Sequence, residues 1–143
     1  MSHAVLVDTS AFFALQNTGN LREHAAIRRG AERLEAEGAV LVTTDYVLDE
    51  TYTLLRTALG HGHAVRFGRE VSRGGIDVAQ IGPEIQREAW AIFEKYADRD
   101  FSFTDCTSFV VMRRAKIRLA LTLDRHFRQF GFETSPALPL ARR

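Results

Sequence analysis

The chain has 143 residues, 45% of them hydrophobic, which suits one domain with a sizeable core. No apolar run approaches the ~18 residues a membrane helix requires, and the N-terminus lacks the basic region, apolar stretch and cleavage site of a secretory signal, so a soluble, cytoplasmic protein is expected. A formal charge of +1 neither requires nor excludes nucleic acid, and with Cys106 as the only cysteine there is no intrachain disulfide.

Val5, Leu6 and Val7 predict a short buried strand that stops on Asp8. Thr9 and Ser10 can then cap a helix whose apolar body is Phe12, Phe13 and Leu15, which places Asp8 at a strand-to-helix corner. Residues 21–37 carry apolar side chains at helical spacing and close at Gly38. A second buried strand is expected over 39–44, a helix over 45–59 ending at Gly60, and a further helix over 63–73 before Gly74 and Gly75. Residues 76–81 predict a third strand, and Pro83 opens a helix over 83–97 at its favoured first position. After a polar connection, Thr104 is a candidate N-cap for a helix reaching Lys116, followed by a strand over 118–122 and a short helix over 124–130. The chain closes with an edge strand and a loose tail over about 136–143. Strands separated by helices predict an α/β three-layer sandwich: one domain over 1–143, with a mainly parallel sheet and helices on both faces.

In such a fold ligands bind at the carboxyl ends of the strands. An Asp at one such corner is explained equally well as a helix cap. Asp124, however, follows the run Leu119–Thr122 as Asp8 follows Val5–Val7, and a repeated arrangement is harder to attribute to capping. Asp105 opens a helix after the aromatic approach Phe101–Phe103. Asp45, Asp49, Thr53 and Arg56 form one polar helical face, so Asp49 reads as solvated, whereas Glu50 neighbours Tyr46, Val47 and Leu54 on the apolar side. A carboxylate there needs a partner, either a metal ion or an arginine. Converging carboxylates favour hard cations, Mg²⁺ or Mn²⁺, over zinc. His61 and His63 diverge on a helix, and His126 reads as an incidental rim residue. No phosphate-binding P-loop, dinucleotide fingerprint or serine-nucleophile elbow is present.

The stretches VLVDTSAFFAL, TTDYVLDETYTLL, FSFTDCTSFVVM and ALTLDRHFRQFGF resemble, in order and over nearly the whole chain, the acidic motifs of PIN-domain nucleases. The likeness is greatest to small stand-alone members of the VapC toxin type. The resemblance implies a PIN-like sandwich with Asp8, Glu50, Asp105 and Asp124 as catalytic acids. Asp8, Asp105 and Asp124 would be the metal ligands, and Thr9, Ser10, Thr104 and Thr122 supporting polar groups. It further implies Mg²⁺- or Mn²⁺-dependent cleavage of RNA, a small antitoxin partner and a possible homodimer. A processing nuclease and a non-cutting RNA- or protein-binding module are the alternatives, and a phosphatase-like use of Asp8 is disfavoured because Ser10 stands where a second Asp would be needed.

Setting four acids aside for a site leaves 19 basic against 14 acidic side chains, a balance of +5, and seventeen of the basic residues are arginines suited to phosphate. Arg113, Arg114, Lys116, Arg118, Arg125 and Arg128 cluster near the last two motifs and are candidate phosphate contacts. Tyr46, Leu55, Val65 and Phe67 are candidates for an antitoxin groove.

Overall fold

The computed structural model describes residues 3–138. Five strands form one sheet, β1 (Ala4–Val7), β2 (Val40–Thr44), β3 (Ile76–Ala79), β4 (Leu119–Leu121) and β5 (Glu133–Ser135), in the order β3-β2-β1-β4-β5. Every pairing is parallel. From β1 the chain passes through α1 (Thr9–Gln16) and α2 (Leu21–Ala36) to β2. It continues through α3 (Asp45–Leu59) and α4 (His61–Ser72) to β3, then crosses back to β4 on the other side of β1 through α5 (Pro83–Lys95) and α6 (Phe103–Ala115). The direction of winding therefore reverses at β1 and β4, and their carboxyl ends bound the crevice where open α/β sheets take ligands. α7 (His126–Phe130) and β5 complete the fold.

Alternation along β1 builds the two outer layers. Val5 and Val7 face one core with Ile27, Leu34, Val47, Leu55 and Phe67 from α2–α4, whereas Leu6 faces a second with Phe109, Met112 and Phe127 from α6 and α7. A central parallel strand covered on both faces has to be apolar throughout, which is why the run Val5–Val7 is legible as a strand. No helix among the described residues is long and apolar enough to cross a membrane.

Several boundaries differ from expectation for local reasons. Ser102 rather than Thr104 caps α6, because Ser102 and Asp105 exchange side-chain and backbone hydrogen bonds, both 3.0 Å, in a capping box. α4 begins at His61, directly after Gly60, whose φ of 106° breaks the helix between α3 and α4. β3 stops at Ala79, since the Ile81 amide donates instead to Asp45 Oδ1 at 3.0 Å. The tail expected over 136–143 lies outside the described residues from 139 onward.

Phe109 sits at the centre of the second core, stacked on Phe130 at 4.4 Å and edge-on to Phe101 and Phe127, both at 5.1 Å. Phe109→Ala is expected to lower unfolding free energy by about 3–5 kcal/mol in denaturant titration. A loss below about 1 kcal/mol would contradict this packing.

Candidate metal centre

Asp8 follows β1 directly, and its amide extends the ladder to Leu121 O at 3.2 Å, which sets it beside the end of β4. Its carboxylate does not cap α1. Oδ2 instead accepts from Ser10 Oγ at 3.1 Å and from Thr122 Oγ1 at 3.0 Å. The same hydroxyls take up the next corner: Ser10 Oγ accepts from the Leu123 amide and Thr122 Oγ1 from the Asp124 amide, both at 2.9 Å. Two hydroxyls thus fix Asp8 to the turn that carries Asp124.

Asp105 arrives from the first turn of α6, in which every residue from Asp105 to Met112 is buried. His126 lies between Asp105 and Asp124, with Nδ1 2.8 Å from Asp105 Oδ2 and 3.2 Å from Asp124 Oδ1. Its amide donates to Asp124 Oδ1 at 2.8 Å. One ligand atom from each of Asp105, Asp124 and His126 falls within a 4.8 Å span. The rim role expected for His126 is therefore corrected. The short Asp124-x-His126 spacing was the available signal, since a carboxylate in a turn accepts the amide two residues on and brings that side chain alongside.

Glu50 is exposed, as is Asp49, so the expectation that it occupies the apolar side of its helix is corrected: Val47, Leu48, Thr51 and Leu55 fill that stripe. Glu50 flanks the stripe, and its long side chain reaches over the rim to accept from Thr9 Oγ1 at 2.6 Å. One pocket of about 400 Å³ is lined by Asp8, Glu50, Asp105 and Asp124 together with two acids that periodicity did not single out, Glu23 and Asp100. Among the described residues no lysine or arginine lines it, and Asp49 is absent from its wall.

The electrostatics follow from this arrangement. Asp8 is pushed up to about 7, first by burial and then by the charges of Asp105 and Asp124, against the lowering bond from Thr122. Asp124 is raised by burial and by Asp105. His126 is raised chiefly by its bond to Asp105. The donor set fits a hard divalent cation: carboxylate oxygens dominate, and the buried Cys106 thiol, pushed up to about 11 mainly by burial, stays protonated.

Most of the basic residues close to these motifs in sequence do not line the pocket. Arg113, Lys116 and Arg118 gather with Glu133 at the amino ends of β4 and β5, the opposite edge of the sheet. Arg114 pairs with Glu88, and Arg128 donates to Leu138 O at 3.2 Å. Of the six candidates only Arg125 flanks the acids, in an adjoining pocket of about 480 Å³ that also holds Arg99.

A family model described as PIN domain matches residues 5–133. The chain is 34% identical over 128 residues to "23S rRNA-specific endonuclease VapC20" of Mycobacterium tuberculosis, covering 90% of this chain and 95% of that protein. It is 27% identical over 125 residues to a "VapC ribonuclease" of Archaeoglobus fulgidus, covering 87% and 79% respectively. The crystal structure of Mycobacterium tuberculosis VapC20, described as a Sarcin-Ricin loop cleaving toxin, matches with a TM-score of 0.80 at 34% identity over 97% of this chain and 99% of that one.

The three shifts around the site share a sign. Asp8, ordinarily near 3.8, keeps its proton in the folded protein up to about 7, so the folded state binds more protons than the unfolded one across that window and stability falls as pH rises through it. The raised Asp124 and His126 act in the same direction. The metal-free melting temperature is expected to fall by several degrees between pH 5 and pH 8, and Asp8→Asn to remove most of that fall. An unchanged slope in Asp8→Asn, read by calorimetry in the presence of a chelator, would contradict the assignment.

Proposed function

This chain belongs to the PIN-domain family and is an endoribonuclease of the VapC toxin type, and we propose that Asp8, Asp105 and Asp124 hold the Mg²⁺ or Mn²⁺ at which it cuts RNA, with Glu50 completing the catalytic set. The observation that carries this reading is the convergence of three carboxylates from three separate segments on the switch-point crevice, at the expense of mutual repulsion. An acid-lined pocket repels a phosphodiester on its own. A divalent ion bound there supplies the attraction for a phosphate oxygen and lowers the pKa of the attacking water.

The chain's own groups do the rest. Ser10 and Thr122 hold Asp8 in one orientation, and the buried first turn of α6 does the same for Asp105. Glu50, exposed and tied to Thr9, is placed to orient a water at the pocket's outer wall. Arg99 and Arg125 border the acids and supply phosphate contacts on that flank. The 34% identity to VapC20 makes the sarcin-ricin loop of 23S rRNA the first substrate to assay.

The partner is a small antitoxin. Leu55 and Phe67 are core residues and drop out of the groove expected for it, which leaves Tyr46 and Val65 with the half-exposed Tyr52 and Leu54 of α3. A homodimer completes the proposal, supported by the exposed Trp90 and Phe93 of α5, whose rings lie 5.7 Å apart.

Asp8→Asn is expected to reduce Mn²⁺-dependent RNA cleavage by more than the roughly 10–100-fold that loss of an outer-shell partner costs, with the circular dichroism unchanged. Full activity in the folded variant would sink the ligand assignment. Glu50→Gln is expected to lose most activity and Asp49→Asn almost none; the reverse order would place the wrong acid at the cleft. Expression of the chain without an antitoxin partner is expected to arrest growth, and co-expression with one to relieve it. Growth unaffected by a protein that still cleaves RNA would favour a processing nuclease.

A further inference from the structure

His126 is the one imidazole among the described residues that touches the acidic pocket's carboxylates. Its ring packs edge-on against the buried Phe101, centroids 5.5 Å apart, with Nδ1 directed at Asp105 and Asp124. Because both neighbours are carboxylates, Nδ1 carries the proton and donates. The oxygens engaged are Asp105 Oδ2, which also accepts the Ser102 amide at 3.0 Å, and Asp124 Oδ1, which also accepts the His126 amide at 2.8 Å. Side-chain donors to Asp8 likewise fall on one oxygen, Oδ2. In each of the three carboxylates the side-chain donors thus fall on one oxygen, Oδ2 of Asp8 and of Asp105 and Oδ1 of Asp124.

We propose that His126 is a positioning residue of the metal site, not a ligand: its Nδ1–H clamps Asp105 and Asp124 together so that their remaining oxygens face one divalent ion. The proposal rests on the metal-binding reading above and goes beyond it in dividing the pocket into an all-oxygen ligand set and an imidazole brace. Without the brace, the two carboxylates lose the one side-chain donor they share, and their mutual repulsion is no longer offset between them. An imidazole held in this outer position also leaves the site compatible with Mg²⁺, which favours oxygen ligands, whereas an imidazole ligand would shift preference toward softer transition metals.

The test is Mn²⁺ binding by calorimetry and spin-echo spectroscopy on the parent protein, His126→Ala and His126→Asn, each checked for folding by circular dichroism. In His126→Asn the amide nitrogen takes the place of Nδ1 as donor. His126→Ala is expected to weaken Mn²⁺ binding about 10–100-fold, His126→Asn to restore most of it, and the Mn²⁺-loaded parent to show no modulation from a coordinated imidazole nitrogen. Equal losses in both variants together with that modulation would make His126 a ligand and overturn the proposal. Unchanged affinity in His126→Ala would remove its positioning role. Failure of the parent itself to bind Mn²⁺ would overturn the metal reading, a result separable from the other two.

Discussion

Like charges gathered in one pocket repel, and this repulsion governs the crevice at the carboxyl ends of β1 and β4. Asp8, Asp105 and Asp124 come from the end of a first strand, the start of a buried helix and the turn after a fourth strand, the first of them distant along the chain from the other two. The sheet order brings the first and last together, because the crossover returns β4 to the free side of β1. Burial then removes the water that would otherwise screen the charges, and Asp8 responds by holding a proton to about 7. Ser10, Thr122 and the imidazole of His126 all donate into this cluster, which holds the carboxylates in place against their repulsion.

The same constraint explains where the scaffold is rigid. α6 is buried along eight consecutive residues from Asp105 to Met112, so its first turn cannot tilt without disturbing the aromatic packing around Phe109. Asp8 and Asp124 sit on adjoining strand ends whose register is fixed by parallel pairing of Val7 with Leu121. Functional side chains carried on such elements keep their spacing better than side chains carried on loops. Glu50 differs, since it projects from the exposed flank of α3 and is restrained by a single hydroxyl.

How much of this was legible in the sequence depends on whether the signal was local. A strand covered on both faces has to be a short apolar run, so Val5–Val7 and Leu119–Leu121 identified themselves, and with them the corners at Asp8 and Asp124. Chain order and the acidic motifs together implied the PIN-like sandwich. Beyond the four motif acids, convergence through space leaves no local signal: Glu23 and Asp100 join the pocket with no periodic signature, and the contact of His126 with Asp105 is made between α7 and the first turn of α6. Nearness in sequence also misled. Arg113, Lys116 and Arg118 follow Asp105 closely along the chain, but a helix rises about 1.5 Å per residue, so α6 delivers them to the opposite edge of the sheet. Helical phase was a partial guide for Glu50. It picked out the acid that lines the cleft but placed it on the buried stripe, because a side chain at the border of two faces reaches a pocket without being buried.

The central claim is that Asp8, Asp105 and Asp124 form one cation site, and anomalous diffraction from a Mn²⁺-soaked crystal tests it most directly. The account predicts a strong peak within about 2.5 Å of an oxygen from each of the three carboxylates, and no imidazole nitrogen at that distance. A peak elsewhere on the surface, with the three carboxylates still bonded only to Ser10, Thr122, Ser102 and His126, would contradict it.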